Sequence, residues 1–276
     1  MQEALTERNL PFVALGSDEC DVTNSDAVST VMEIHRPDVV VNCSAWTAVD
    51  AAEDNEATAF AINCDGPRNV AVACRTSGST FVHVSTDYVF PGDGSGEYAE
   101  DSPTGPVSVY GKSKLCGERE AIAGHPDGTY IVRTAWLYSR HGGNFVKTML
   151  RRALSGAAVR VVDDQLGQPT LANDLARHII DLVTSGAPVG VYHGTNSGRT
   201  TWCDLAREIF DLAGAGTGLV SPVGTSEYPT RAVRPANSVL GHARTIEAGV
   251  AEMRQWDLAL RASIHGIIET VKSEGN

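Results

Sequence analysis

Apolar positions fall into short runs separated by longer amphipathic stretches through the first two-thirds of the chain. "PFVAL" (11–15) predicts a strand. "DVVVNCS" (38–44) is apolar almost throughout, as a parallel strand covered on both faces requires. "STFVHVS" (79–85) and "GTYIVRT" (128–134) predict two more. Helical stretches lie between them. "NSDAVSTVMEIHR" opens on capping residues and is stopped by Pro37. "EATAFAINCDGPRNVAVACRTSG" carries apolar residues at helical spacing and closes on Gly78. Strands alternating with helices predict an α/β fold built on a doubly wound parallel sheet.

The rhythm loosens after residue 135. "GNFVKTMLRRALSG" predicts a helix, "AVRVVDDQLGQPT" a strand and loop, and "TNSGRTTWCDLAREIFDLAG" a loop followed by a capped helix. "SPVGTSEYPTRAVRPANSVL" is rich in Pro and Ser and predicts irregular structure. No fixed-period repeat and no long linker is visible. A second, smaller lobe is therefore expected to be interleaved with the sheet rather than appended to it.

Composition narrows the function classes. The 276 residues suffice for a sizeable core, with 42% hydrophobic and 20% charged residues. A net charge of −12 argues against nucleic-acid partners. No apolar run is long enough to span a membrane, and "MQEALTERNL" has no signal-peptide centre, so a cytoplasmic location without membrane partners is expected. The six cysteines form no C-x-x-C pair and suggest neither a disulfide framework nor zinc; they are expected to be buried thiols in a reducing compartment. The eight histidines contain no H-E-x-x-H, and no metal site is expected.

Two segments carry candidate chemistry. "VHVSTDYVF" is a strand ending in Ser85, Thr86 and Asp87, and in open α/β sheets ligands bind beyond the carboxyl ends of strands. "SVYGKSKLCGE" follows it and places Tyr110 and Lys114 on one helix face. A nearby ammonium favours phenolate, which makes tyrosine a usable proton donor near neutral pH. Thr86 can hydrogen-bond a reacting oxygen. Together these groups suit ketone reduction by an external hydride. A lone Y-x-x-x-K favours a solvated helix face, with Glu118 then no more than the helix partner of Lys114; it is the ordered pair of segments within an alternating α/β pattern that points to chemistry. Asp163 and Asp164 suit a solvated turn better than a cation site.

The pieces "DVVVNCSAWTAVDAAE", "AFAINCDGPRNVA", "VHVSTDYVFPG", "YGKSK", "IVRTAWLYSRHGGNFVKTML", "VVDDQLGQPT", "GVYHGTNSGRTTWCDLA" and "RPANSVL" together resemble the extended short-chain dehydrogenases/reductases. More narrowly, they resemble the dTDP-4-dehydrorhamnose reductase family, over nearly the whole chain. The resemblance implies a Rossmann-like cofactor-binding core over 1–134 and a mainly substrate-binding lobe over 135–276 that interleaves with the last strands of the core. It implies NADPH or NADH as cofactor and a dTDP-sugar as substrate, and a homodimer is a further expectation. Tyr110 would be the general acid. Lys114 would hold the nicotinamide ribose and tune Tyr110, and Thr86 would polarise the carbonyl. Asp21 and Val22 occupy the adenine side, and Ala45, Trp46 and Thr47 would flank the cofactor. Asp87, Trp136, Asn144 and Arg234 would line the sugar-nucleotide site, with the guanidinium suited to a diphosphate. Plain structural roles compete for Asp21 (a turn or N-cap), Trp136 (core) and Arg234 (a surface ion pair).

The chain departs from the family pattern at its start. The resemblance implies a first strand and a G-x-x-G-x-x-G turn, which lets a pyrophosphate approach a helix N-terminus. Neither precedes "PFVALGSDECDVT", and Met1 falls inside the implied first helix. The expectation is a start placed late, with roughly twenty family residues before it; the rival is a real truncation in a protein that no longer binds the cofactor well. "LGSDECD" offers acids and no Arg where cofactor choice is made, which favours NADH or dual use. Trp46 stands where His or Tyr is more usual in the rhamnose enzymes. Antibiotic-pathway reductases of the dihydrostreptose type share the scaffold. So do an epimerase acting by transient oxidation at C4 and a regulatory subunit of methionine adenosyltransferase type.

Overall fold

The computed structural model describes residues 1–274. A short helix α1 (Gln2–Glu7) opens the chain and packs on a later helix. Helix α2 (Ser25–His35) is capped by Asn24, whose side chain accepts from the Asp26 and Ala27 amides. Strand β1 (Val39–Asn42) follows, then α3 (Val49–Ala52). The long helical stretch that the sequence predicts is present but not regular. It runs as α4 (Glu56–Phe60), a π-helical turn (Ala61–Asp65) and α5 (Gly66–Ser77), ending in left-handed Gly78. Strand β2 (Thr80–Thr86), helix α6 (Val109–Gly124) and strand β3 (Thr129–Thr134) complete the first half.

The second half contributes β4 (Leu137–Tyr138), α7 (Phe145–Leu154), β5 (Val159–Val162), β6 (Leu166–Gly167), β7 (Thr170–Leu171) and α8 (Ala172–Thr184). Then come β8 (Gly190–His193), β9 (Thr200–Thr201), α9 (Trp202–Leu212), β10 (Val220–Val223), α10 (Ala243–Glu247) and α11 (Trp256–Glu274). The Pro- and Ser-rich segment is irregular except for β10 at its start and a 3-10 turn at Thr225–Glu227.

The main sheet has the order β1-β2-β3-β8, and every pairing is parallel. Its apolar faces are covered on one side by α2, α5 and α6 through Val28, Val70, Phe81 and Ile131. On the other side Leu175 and Ile179 of α8 pack on Val82 and Val132. A separate core joins α7, α9 and α11 to the parallel pair β5–β10 through Leu150, Phe210 and Ile264. The interleaving is visible in β8, which returns to the main sheet between elements of this second body.

One strand expectation fails. Residues 11–15 form no strand, and Phe12, Val13 and Leu15 are exposed. A strand exists only through ladder hydrogen bonds to a neighbour. Among the described residues β1 pairs with β2 alone, so its other edge is open.

The cysteine expectation also needs correction. Cys64 in the π turn and Cys116 in α6 form a disulfide, with Cα atoms 5.1 Å apart. Cys74 and Cys203 are buried thiols as expected, whereas Cys20 is half-buried and Cys43 is exposed.

Candidate active site

The site forms where β2 ends and α6 begins. Thr86 is the last residue of β2, and its hydroxyl accepts from the Tyr88 amide while donating to Asp87 Oδ1 at 2.9 Å. Ser108 caps α6 by accepting from the Gly111 amide at 3.1 Å. Gly111 lets the helix start close against the preceding loop, because a Cβ there would lie 2.3 Å from the Tyr88 carbonyl oxygen. One turn holds Tyr110 and Lys114 on the same face. The Tyr110 and Tyr88 rings meet edge to face with centroids 5.5 Å apart.

Burial dominates the electrostatics. It raises the Tyr110 phenol well above its ordinary value, the Thr86 hydroxyl opposes the rise, and Asp87 and Tyr88 add to it. Lys114 is 1% exposed, and its ammonium donates to the Val84 carbonyl at 2.7 Å and lies 3.2 Å from His83 Nε2. Desolvation pushes it down to about 8. Asp87 is pushed up to about 6, again mainly by burial. Its Oδ2 is buried with no hydrogen-bond partner.

Glu118 is not the helix partner of Lys114. Its carboxylate binds Arg133 through two bonds of 2.9 and 2.7 Å and accepts from Ser85 at 2.6 Å. Both members of the pair are buried, so the ion pair fixes α6 against β2 and β3. The alternative of removing one partner would strand a buried charge.

The remaining sequence candidates are spread over several places. Ala45, Trp46 and Thr47 follow β1. The Trp46 backbone is clamped by Asn63, which accepts from its amide at 2.8 Å and donates to its carbonyl at 3.1 Å. The same Asn63 amide donates to Ser113 on α6 at 3.0 Å. Asn63 thus couples the loop to the helix that carries Tyr110 and Lys114. Gly117 permits this approach, because a Cβ there would sit 2.0 Å from the Asn63 carbonyl. Sequence reading passed over Asn63, since a polar residue inside a helical run carries no sign of which loop it will hold.

Thr47, Trp136 and Asn144 line one cavity of 320 Å³ with Tyr138, Phe145 and Trp202. Trp136 has φ of +46° and stacks on Trp202 at 3.5 Å between centroids. Asn144 also caps α7, accepting from the Lys147 amide at 3.0 Å. Arg234 donates to Asp50 at 2.5 Å and to the Tyr88 hydroxyl at 3.4 Å, so it reaches the site through Tyr88 while holding an ion pair. Asp21 is exposed and forms a local turn, accepting from the Thr23 amide and hydroxyl, which lowers its carboxyl. Val22 lies against the start of α5, close to Gly66. Asp163 and Asp164 hold Thr201 and Thr225, as turn residues do.

The nicotinamide end of a dinucleotide fits this arrangement. The Lys114 amine touches no carboxylate, and an unpartnered Asp87 oxygen is buried beside Thr86. Before Gly66 the sequence holds one glycine, Gly16, at a turn between 11–15 and α2.

Relatives carry the same framework. The chain is 48% identical over 263 residues to a dTDP-4-dehydrorhamnose reductase of Streptomyces griseus, covering 94% of this chain and 86% of that protein. It is 45% identical to a dTDP-4-keto-6-deoxy-D-glucose reductase of Streptomyces niveus, covering 91% and 87%. A solved dTDP-4-dehydrorhamnose reductase of Clostridium acetobutylicum superposes with a TM-score of 0.92 at 38% identity, covering 96% of this chain and 94% of that one. One from Bacillus anthracis, solved in complex with NADP, gives 0.91 at 36% identity, covering 96% and 93%. Residues 1–268 match the model of the RmlD substrate binding domain, and the chain belongs to that family.

Proposed function

We propose that the chain is an NADPH-dependent oxidoreductase that reduces the 4-keto group of a dTDP-linked 6-deoxy sugar, with dTDP-4-dehydro-L-rhamnose as substrate. The observation that carries this reading is the buried meeting of Thr86, Asp87 and Tyr110 at the end of β2, with the Lys114 amine behind them and no carboxylate touching it. The reduced nicotinamide, when bound, supplies the hydride. Lys114 holds the ribose hydroxyls, and the Trp46 loop clamped by Asn63 flanks the cofactor.

The chain's own groups manage the proton. Burial keeps the Tyr110 phenol protonated until an oxyanion grows beside it. Tyr110 then gives that proton to the sugar O4, and the Thr86 hydroxyl hydrogen-bonds the same oxygen. Asp87 Oδ2 accepts from a sugar hydroxyl, which satisfies its unpaired lone pairs. The cavity lined by Trp136, Phe145 and Trp202 offers flat apolar faces to the base. The division into a cofactor-binding part, 1–134, and a mainly sugar-binding part, 135–276, belongs to the same reading. So do a cytoplasmic location and a homodimer, the latter tested by mass in solution.

A second reading keeps the chemistry and changes the sugar to one of an antibiotic pathway. It is favoured by Trp46 and by the relative of Streptomyces antibioticus named as a probable 4-ketoreductase of a dTDP-sugar, 46% identical.

The test is oxidation of NADPH, and separately NADH, by the 276-residue chain with dTDP-4-keto-6-deoxy-L-mannose. Substrate-dependent turnover is expected, faster with NADPH. Turnover with a different dTDP-ketosugar and none with this one moves the assignment to the second reading. No ketosugar reduction by a folded chain overturns both.

A further inference from the structure

Lys114 has one polar side-chain neighbour that the mechanism above does not use. His83 lies on β2, fully buried, with Nε2 3.2 Å from the Lys114 amine. Its other nitrogen, Nδ1, lies 3.3 Å from the Asn42 side-chain amide on β1. The Asn42 amide cannot turn freely. Its oxygen accepts from the Ser44 backbone N–H at 3.0 Å and from the Ser44 hydroxyl at 2.6 Å. A backbone N–H can only donate, so the Asn42 oxygen is fixed there and its NH₂ faces His83.

This orientation decides the imidazole. Nδ1 must accept from the Asn42 NH₂, so the ring proton sits on Nε2 and points at Lys114. A neutral amine can accept that N–H; a charged ammonium cannot. When Lys114 takes up a proton, the ring must move its own proton to Nδ1 and give up the Asn42 bond. The ring stays neutral in both states, since burial and Lys114 hold it far below its ordinary value.

The other groups facing the amine do not offset this. Glu118 on α6 favours the charged amine through space, but its own bonds go to Arg133 and Ser85. Cys43, beyond β1, is held above its ordinary value and stays a thiol. Tyr110, one turn earlier, is raised and neutral. On β2 the Val84 carbonyl accepts from the amine in either state.

We propose that His83, its tautomer set by Asn42 through Ser44, is a positioning residue that controls whether Lys114 carries a proton. The charge beside the cofactor ribose is then governed by the strand under the helix, not by a carboxylate on the helix itself. The effect on turnover rests on the reductase reading; the tautomer does not.

The experiment is ¹⁵N NMR of the histidine-labelled full chain from pH 6.5 to 9.5, with His83 assigned by its loss in His83→Gln. The expected result is an Nε2-protonated neutral ring at the alkaline end. It should give way to the Nδ1-protonated neutral ring as pH falls through the Lys114 titration. A tautomer that stays constant over this range overturns the proposal. So does a ring that becomes a cation. Asn42→Asp supplies a second arm, because a carboxylate accepts from Nδ1–H and locks the tautomer that leaves Nε2 free to accept from the ammonium. The alkaline limb of kcat should then move up by about one pH unit or more. An unmoved limb in an active, folded variant overturns the proposal. If no ketosugar is turned over, the tautomer measurement still decides it.

Discussion

Tyr110 and Asp87 illustrate how burial does the work in this site. On the proposed mechanism Tyr110→Phe removes the proton donor and little else, so turnover should fall by about 10²-fold or more with sugar binding nearly unchanged. Unchanged turnover in a direct kinetic comparison would remove Tyr110 from its role. Asp87 sits in an environment that disfavours its charge, pushed up to about 6 by desolvation. A carboxyl raised on folding stabilises the chain below its unfolded value, near ~4, and that stabilisation is lost as pH rises through 6. At pH 7 the ionised group is therefore a cost of roughly 1–3 kcal/mol. Asp87→Asn should raise the urea midpoint at pH 7, weaken sugar binding and leave stability at pH 4 little changed. Equal shifts at both pH values would mean that the charge is not what the site strains against. The placing of Thr86 at a strand end and of Tyr110 and Lys114 on one helix turn was legible in the sequence, because strand end and helix face are both periodic features. The second layer of Asn63, His83 and Asn42 was not, because each is a polar residue in an apolar run whose partner lies on another element.

Helices and paired strands follow the hydrophobic period closely, and the misses occur where a neighbour decides the outcome. Residues 11–15 have strand-like composition and no ladder partner, so composition alone misleads. The π turn at 61–65 is invisible to periodicity because it inserts one extra residue per turn in an otherwise helical run. That turn brings Cys64 to Cys116, and the 52-residue separation gave no hint of the pair. The bond ties the α4–α5 segment to the helix carrying Tyr110 and Lys114. By loop-closure entropy a cross-link of this span contributes up to about 4 kcal/mol. Denatured, unreduced protein should take up four alkyl groups against six after reduction, from the four free cysteines and six in all. Cys116→Ser should lower the unfolding midpoint to that of the reduced protein. Six groups without reduction would show that the pair is open.

At the scale of the molecule, the main sheet and its coverings hold several histidines uncharged. His178 on α8 is pushed down to about 4 and His193 on β8 to about 3, both chiefly by burial. His83 is lowered well below its ordinary value by burial and then by Lys114, and His242 shifts the same way. His178, His193 and His242 lie where α8, β8 or the chain after the irregular segment closes over the sheet, so their protonation opposes the docking that the interleaved topology creates. A histidine depressed on folding contributes stability above its unfolded value, near ~6.5, and loses it as pH falls toward the folded value. At pH 5 each of His178 and His193 should therefore have cost about 2 kcal/mol relative to pH 7. Asp87 works in the opposite sense, regaining stability between 6 and 4, but one carboxyl does not balance several imidazoles. The unfolding free energy in urea should fall by several kcal/mol from pH 7 to pH 5, with an unchanged m-value if the transition stays two-state. His178→Phe should flatten that dependence, since its Nε2 has no hydrogen-bond partner to lose. A stability flat from pH 7 to pH 5 would mean that these rings are hydrated and that the closure over the sheet is looser than the packing implies.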